Sequence, residues 1–195
     1  ALPGRTNRLE VGFADKNNDD RFKYDIDLVS LSGIPGVEAP RPIRTFGVGQ
    51  TLRRLVAPEG KTFVLRGFHV QYLNGDREVK QLAVSWKNDQ LYIALNDQNE
   101  DDRFYAIVEY AWVPKSALAF HGLETRADGT GRASMYAAGD PQKRLLQGFD
   151  LRYRRGDQHV DAVGVQLARK MPIAYLNDKN DDDQMQARVR YVVLR

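Results

Sequence analysis

An acidic motif rich in Asp and Asn occurs three times in the chain, each time directly before a run of alternating apolar residues. Carboxylate and amide oxygens at alternate positions of a turn can point inward together, as a calcium ion with about six to eight oxygen ligands requires. The motifs therefore predict calcium as a cofactor, and no other cofactor is expected. The candidate metal ligands are Asp15, Asn17, Asp19, Asp20, Asp97, Asn99, Asp101, Asp102, Asp178, Asn180, Asp182 and Asp183.

The acidic motif also has a purely structural interpretation. The first copy matches only the first half of an EF-hand loop, because Asp20 stands where the loop needs glycine and Ile26 where it needs glutamate. Asn and Asp are common in turns because they tolerate left-handed backbone and hydrogen-bond their own main chain. A turn does not require several adjacent carboxylates, and like charges placed so close together repel each other. A calcium site and a solvated turn therefore stay open.

Four residues outside the acidic motifs are candidate ligand contacts: Tyr92, Tyr105, Asp150 and Arg152. Aromatic rings suit the apolar side of a sugar ring. Tyr92 lies near a predicted turn and Tyr105 on the polar face of a predicted strand, so both can reach solvent. Packing in the core is the alternative for every aromatic, and Trp112 is assigned to the core. For Arg152 and Arg154 the alternative is the solvent-facing side of a strand, opposite Leu151 and Tyr153.

Catalysis and nucleic-acid binding find little support in the residues. The chain has three histidines without a metal-like spacing and no cysteine, so a thiol nucleophile is excluded. Arg152, Arg154 and Arg155 surround Tyr153 and could face phosphates. The net charge of +3 is too small to favour nucleic acid. No run approaches the roughly 18 apolar residues that a membrane-spanning helix needs.

The elements that must hold these residues are repeated along the chain. Residues Gly67 to Tyr110 align without a gap on Gly148 to Tyr191, which indicates an internal duplication. After each acidic motif, apolar and polar residues alternate with a period of two, beginning at Phe22, Phe104 and Met185. This period is typical of a half-buried antiparallel strand. The predicted fold class is all-β, an antiparallel β-sandwich architecture built from the duplication.

The remaining predicted elements complete this architecture. Further strands are expected at Leu9 to Phe13, Phe63 to Leu73, Val79 to Trp86, Leu91 to Leu95, Leu145 to Tyr153, Val160 to Leu167 and Ile173 to Leu176. Asn74-Gly75-Asp76 and Arg155-Gly156-Asp157 are expected to be hairpin turns. Pro35 to Pro42 and Pro114 to Arg132 are expected to be connecting segments, the second with a turn at Asp128-Gly129-Thr130-Gly131. The predicted domains are an N-terminal β-hairpin as a partial repeat (1–32) and two β units (33–114 and 115–195), which form either one core or two.

The repeated unit resembles a known family. It is similar to the H-type lectin domain in the order of three features. These are Gly-Phe-Asp near the start of a hairpin, then a valine-rich strand, then an acidic turn before a strand that ends in an aromatic residue. Residues 148–194 carry the closest likeness and residues 67–113 a looser one. The resemblance implies a small antiparallel β-sandwich that binds sugars. Where the family places a tryptophan of its sugar site, this chain has Asn96-Asp97 and Asn177-Asp178.

Composition and resemblance together predict a binding module. A hydrophobic fraction of 42% and a charged fraction of 28% are typical of a soluble globular protein. The chain begins at Ala1, which suggests a processed N-terminus and export, with a trimmed chain as the alternative. We expect a non-enzymatic, secreted or cell-surface, lectin-like module for carbohydrate. The alternative is a structural or assembly protein whose calcium-stabilised acidic turns mediate protein–protein contacts. The expected partner is a glycan or another protein, and a homo-oligomer is possible.

Overall fold

The computed structural model describes residues 26, 28–74, 79–97, 102–155, 160, 162–177 and 184–195. Within these ranges the regular structure consists of β-strands and two single-turn 3-10 helices, Lys115–Ala117 and Pro141–Lys143, without any α-helix. The all-β prediction is therefore confirmed. In the same ranges, no helix is long and apolar enough to cross a membrane.

Twelve strands form one sheet in which every pair is antiparallel. The first six are β1 Ile43–Val48, β2 Gln50–Arg54, β3 Lys61–Tyr72, β4 Gln81–Lys87, β5 Gln90–Asn96 and β6 Arg103–Pro114. The second six are β7 Leu118–Thr130, β8 Arg132–Ser134, β9 Arg144–Arg155, β10 Ala162–Gln166, β11 Ile173–Asn177 and β12 Gln184–Leu194.

The two halves of the sheet have the same strand order. In space the first half runs β4-β5-β2-β1-β6-β3 and the second runs β10-β11-β8-β7-β12-β9. The halves meet where β4 pairs with β9, and we call this pairing the joint. In the joint, Gln81 lies opposite Arg152 and Ser85 lies opposite Gly148.

The strands that follow the second and third acidic motifs, β6 and β12, bury alternate residues over most of their length, as their sequence predicts. Phe104, Ala106 and Val108 of β6 are completely buried, as are Ala187 and Val189 of β12. Trp112 is also buried, in agreement with its assignment to the core. Alternation works here because one face of each strand lies on the core and the other faces outward.

Buried residues of both halves belong to one hydrophobic cluster, which includes Phe63 and Ile93 of the first half and Leu151 and Met185 of the second. A smaller cluster surrounds Val64 near the C-terminal ends of β6 and β12. The two halves thus contribute to one main core. The division at residues 32 and 114 stays a prediction, and most of the expected N-terminal hairpin lies outside the described residues.

The strand predicted after the first acidic motif is not found where the structure can be described. Ile26 and Leu28 are exposed and lie outside any strand. Val29 and Leu31 instead contact the smaller cluster. At residues 26 and 28 the apolar period of the sequence therefore does not correspond to burial.

The segment from Pro114 to Arg132 is not a connector. Most of it is β7, at 13 residues the longest strand described, and it pairs with β12 along its length. Its sequence lacks a clear period because few of its side chains enter the core, and pairing with a distant strand decides its conformation. Only Gly131 of the predicted turn separates β7 from β8, with a φ of 64° that favours glycine.

Most residues of the two predicted hairpin turns, Asn74-Gly75-Asp76 and Arg155-Gly156-Asp157, lie outside the described residues. The strands on either side of each turn do not pair with each other, which contradicts the predicted hairpins: β3 pairs with β6, and β9 pairs with β12 and β4. A two-residue hairpin turn occurs instead at Asn88-Asp89, where both residues have positive φ angles of 50° and 57°. Asn and Asp tolerate this backbone, so the turn closes β4 onto β5.

Arg144, the first residue of β9, connects two segments of the second half of the sheet. Its side chain is buried, and its guanidinium donates to the carbonyl oxygens of Ala137, Ala138, Gly139, Leu167 and Arg169 at 2.7–3.1 Å. A planar group with five N–H donors can satisfy five acceptors at once, which a lysine cannot do. This contact holds the segment after β8 against the segment after β10.

Gly148 lets the two halves approach each other at the joint. A Cβ atom at this position would lie 2.4 Å from Cα of Ser85 and 2.6 Å from the carbonyl oxygen of Val84. We expect Gly148→Ala to lower the free energy of unfolding by about 1–3 kcal/mol, since backbone on the facing strand must shift. Urea unfolding measures this difference.

Gly67 provides the matched control, because it aligns with Gly148 in the repeat. A Cβ atom there would have its nearest neighbour, Glu109, at 3.9 Å. Gly67→Ala should therefore leave stability unchanged within about 1 kcal/mol. Equal effects of the two substitutions would show that the approach at the joint is not a constraint.

Candidate ligand-binding face

Six successive strands, β7, β12, β9, β4, β5 and β2, share one surface opposite the core, which we call the outer face. Directly paired residues point to the same side of a sheet. One such cross-strand row contains Arg126, Arg188, Asp150, Ala83, Ala94 and Gln50, in that order. This side of the sheet is therefore continuous across the joint, but Ala83 and Ala94 in the middle of the row are completely buried.

Alternation along β9 places two predicted ligand contacts on this face. Leu151 and Tyr153 are buried in the core, whereas Asp150 and Arg152 point outward. The side chain of Arg152 is 47% exposed and that of Asp150 only 11% exposed. The predicted placement of Arg152 and Arg154 on the face opposite Leu151 and Tyr153 is confirmed. On the same face, the carboxylate of Asp150 is shielded while the guanidinium of Arg152 reaches solvent.

Asp150 is the centre of a hydrogen-bonded group at the joint. Its Oδ1 accepts from Nε2 of Gln81 at 2.7 Å and from Nε of Arg152 at 2.9 Å, and its Oδ2 accepts from Nη2 of Arg152 at 2.9 Å. Bidentate pairing of this kind fixes both planar groups. The joint supplies one partner from β4 and the other from β9.

The hydrogen bonds continue from Gln81 to a third predicted contact. Nε2 of Gln81 donates to the hydroxyl of Tyr92 at 3.1 Å, and that hydroxyl donates to Oε1 of Gln50 at 3.1 Å. Asn96 adds a bond to Oε1 of Gln81 at 3.3 Å. We call this set, together with Asp150 and Arg152, the joint network.

Tyr105 is not part of the joint network. It lies on β6, where its hydroxyl accepts from Arg44 at 3.1 Å and its ring lies 5.1 Å from that of Phe46. The structure thus brings together Tyr92, Asp150 and Arg152 and leaves Tyr105 apart. The reason is the strand order, which puts β6 on the far side of β2 and β1.

Only two of the twelve candidate metal ligands lie in the described residues. Asp97 and Asp102, at the two ends of the middle acidic motif, are each 2% exposed. In the described ranges, no group of three His, Cys, Asp or Glu side chains could hold a metal ion. Calcium stays a prediction. The other ten lie outside the described residues: Asp15, Asn17, Asp19, Asp20, Asn99, Asp101, Asp178, Asn180, Asp182 and Asp183.

Sequence reasoning missed an ionic cluster on β7 and β12. Glu124 lies 2.6 Å from Nη2 of Arg126, 2.9 Å from Nη1 of Arg190 and 3.8 Å from Nε of Arg188. We call these four residues the arginine cluster. The alternation Glu124-x-Arg126 and Arg188-x-Arg190 is visible in the sequence, but nothing there indicates that the two strands pair.

The arginine cluster changes the ionisation of Glu124. Burial by itself raises the pKa of this carboxyl, but the hydrogen bond from Arg126 and the positive charges of Arg126, Arg190 and Arg188 outweigh it. The pKa of Glu124 is therefore lower than usual. A depressed folded-state pKa means that the ionised group stabilises the folded protein above the unfolded pKa, and that this contribution is lost as pH falls through the folded pKa.

Glu124→Gln should therefore lower stability at neutral pH by about 1 kcal/mol. The difference from the wild type should shrink as pH falls below the unfolded pKa of a glutamate and towards the folded one. Urea unfolding between pH 7 and pH 3 measures this. Glu59→Gln, at an exposed position between β2 and β3, is the control and should show little effect. A Glu124 effect that is independent of pH would contradict the electrostatic account.

Comparisons with known proteins return no relative. No protein-family model matches the chain, and no curated protein or solved structure does so either. The resemblance of residues 148–194 and 67–113 to the H-type lectin domain therefore stays a prediction. The function must be argued from the joint network and the outer face.

Proposed function

We propose that the protein is a non-enzymatic, secreted or cell-surface binding module whose ligand is a carbohydrate, bound on the outer face at the joint. The main support is the joint network, which gathers three of the four predicted ligand contacts around Asp150. We also propose that the two halves are sandwich-like units derived by duplication. Their identical strand order and the ungapped alignment support this.

The chemistry of the joint network suits sugar hydroxyls. Carboxylate, amide, guanidinium and phenol groups offer both donors and acceptors within a few ångströms. Asp150 and Gln81 are held in place by their mutual bond and by the bidentate pair with Arg152. Groups fixed before binding lose less conformational entropy when a ligand arrives. A polar surface of this kind selects hydroxyl geometry without reacting with it.

Glycan-array screening followed by calorimetry tests the carbohydrate function. Asp150→Asn keeps the size of the side chain but removes the charge, and Tyr92→Phe removes one hydroxyl. Asp150→Asn should weaken binding of the selected glycan about tenfold or more, since a hydrogen bond to a charged group contributes about 1.5–3 kcal/mol. Tyr92→Phe should weaken it by up to about tenfold, since a neutral hydrogen bond contributes about 0.5–1.5 kcal/mol. Thermal unfolding checks that the variants fold.

Tyr105→Phe is the matched control, because Tyr105 lies outside the joint network. It should change the affinity less than about twofold. An array without any binding would contradict the carbohydrate function. A control variant as weak as Tyr92→Phe would place the site elsewhere.

The second candidate is a structural or assembly protein whose acidic turns mediate protein–protein contacts and are stabilised by calcium. It is favoured by the ends of the described sheet, where β3 and β10 pair on one side only. Phe68 of β3 is 45% exposed, whereas its repeat counterpart Phe149, which lies in the joint, is 3% exposed. Exposed strand edges are common sites of association. A second chain could pair its β10 with β3 as β4 pairs with β9.

Mixed disulfides test this assembly. In the repeat, Gly164 and His69 correspond to Ala83 and Asp150, which are directly paired in the joint. The chain has no cysteine, so mixing Gly164→Cys with His69→Cys chains should give a disulfide-linked dimer if the joint recurs between chains. Calcium should increase its yield and a chelator should decrease it.

Leu52→Cys replaces His69→Cys as the control in this experiment. Leu52 is 61% exposed but lies on β2, an interior strand of the sheet, where it is directly paired with Tyr92 of β5. Mixing it with Gly164→Cys should yield little dimer. Equal yields for the two mixtures, or a monomer at every concentration, would contradict the assembly function.

A further inference from the structure

The arginine cluster carries more positive charge than it neutralises. One carboxylate, Glu124, faces the guanidinium groups of Arg126, Arg188 and Arg190. These contacts leave an excess of two positive charges within the cluster. The side chains of Arg126 and Arg188 are 60% and 44% exposed, so this charge is accessible from solvent.

The register of the strands places two of these arginines side by side. Arg188 of β12 is directly paired with Arg126 of β7. Like charges directly opposite each other destabilise a sheet. On its other side Arg188 is paired with Asp150, whose oxygens already accept from Arg152 and Gln81. An anion between Arg126 and Arg188 would relieve the repulsion.

Arg190 supplies an independent observation. Its side chain is 14% exposed, and Nη1 donates to Oε2 of Glu124 at 2.9 Å. Its Nε is buried without a hydrogen-bond acceptor among the residues that the structure describes. A buried donor without a partner costs free energy. The cluster thus lacks an acceptor as well as negative charge.

We propose that the carbohydrate bound on the outer face is an acidic one, with a sulfate or carboxylate group held between Arg126 and Arg188. This inference rests on the carbohydrate function and extends it to the class of ligand. The same cross-strand row continues from Arg126 and Arg188 to Asp150 of the joint network. One oligosaccharide can therefore place its anionic group on the arginine cluster and its hydroxyls on the members of the joint network that reach solvent, Arg152 and Gln50.

The distribution of charge favours an acidic sugar over a nucleic acid. Carboxylates alternate with the arginines of this face: Glu124 among Arg126, Arg188 and Arg190, Asp150 beside Arg152, and Asp128 at 3.5 Å from Arg154. A continuous phosphate backbone would meet repulsion at each carboxylate, and the net charge of the chain is only +3. A sugar with separate anionic groups among hydroxyls can avoid the carboxylates.

Binding of a sulfated glycosaminoglycan oligosaccharide tests the proposal, with the chemically desulfated oligosaccharide and inorganic sulfate as comparison ligands. The double variant Arg126→Gln/Arg188→Gln should bind the sulfated oligosaccharide at least about tenfold more weakly than the wild type. The desulfated form should bind the wild type more weakly than the sulfated form. Affinity should fall as salt increases, because the contact is ionic. Both substituted side chains are exposed, and thermal unfolding checks the fold.

The control removes the same charge elsewhere. Arg66→Gln/Arg103→Gln alters two exposed arginines of β3 and β6, away from the cluster. It should change the affinity less than about twofold. Equal losses in the two double variants would overturn the proposal, because the effect would then be one of net charge.

Three further outcomes separate this proposal from the function on which it rests. In the first outcome, neutral glycans bind, and their affinity is lowered by Tyr92→Phe but not by Arg126→Gln/Arg188→Gln. The carbohydrate function then stands and the acidic ligand is overturned. If no glycan binds, both are overturned. If single-stranded RNA binds more tightly than the sulfated oligosaccharide and depends on Arg126 and Arg188, the acidic sugar is overturned in favour of nucleic acid.

Discussion

The pairing of β4 with β9 is the constraint on which the rest of the structure depends. It is the only described pairing between the two six-strand halves, and Gly148 is a position in it where a Cβ atom would collide with the backbone of the facing strand. Because the halves meet edge to edge, buried residues from both enter one main core. The same pairing sets Gln81 beside Asp150, so the joint network exists only when the halves are joined.

The sequence predicted the parts of the fold that local periodicity controls. Strands β6 and β12 bury alternate residues from Phe104 to Tyr110 and from Met185 to Tyr191, as the sequence period predicts, whereas consecutive residues are buried near their C-terminal ends. Strand β7 could not be predicted in this way, since pairing with β12, and not burial of one face, keeps it extended. The sequence also did not indicate which strands pair with each other. Two glycine-containing turns suggested local hairpins, whereas the strands beside them pair with distant segments.

The candidate site shows the same division. The face on which Arg152 and Arg154 lie followed from alternation along one strand, and the structure agrees. The contact of Asp150 and Arg152 with Gln81 and Tyr92 depends on the register between β9, β4 and β5, which joins residues far apart in the chain. The arginine cluster was missed for the same reason, because Glu124 and Arg190 become neighbours only when β7 pairs with β12. The composition of the acidic motifs indicated metal sites, but most of their residues lie outside the described ranges.

The central claim is that the joint assembles the ligand site from both halves of the chain. Hydrogen exchange with and without the selected glycan tests it most directly, because it reports on each strand separately. The account predicts that the ligand slows exchange together in residues 81–85 of β4 and residues 148–152 of β9. Slowing confined to one half, or to the acidic motifs alone, would contradict it.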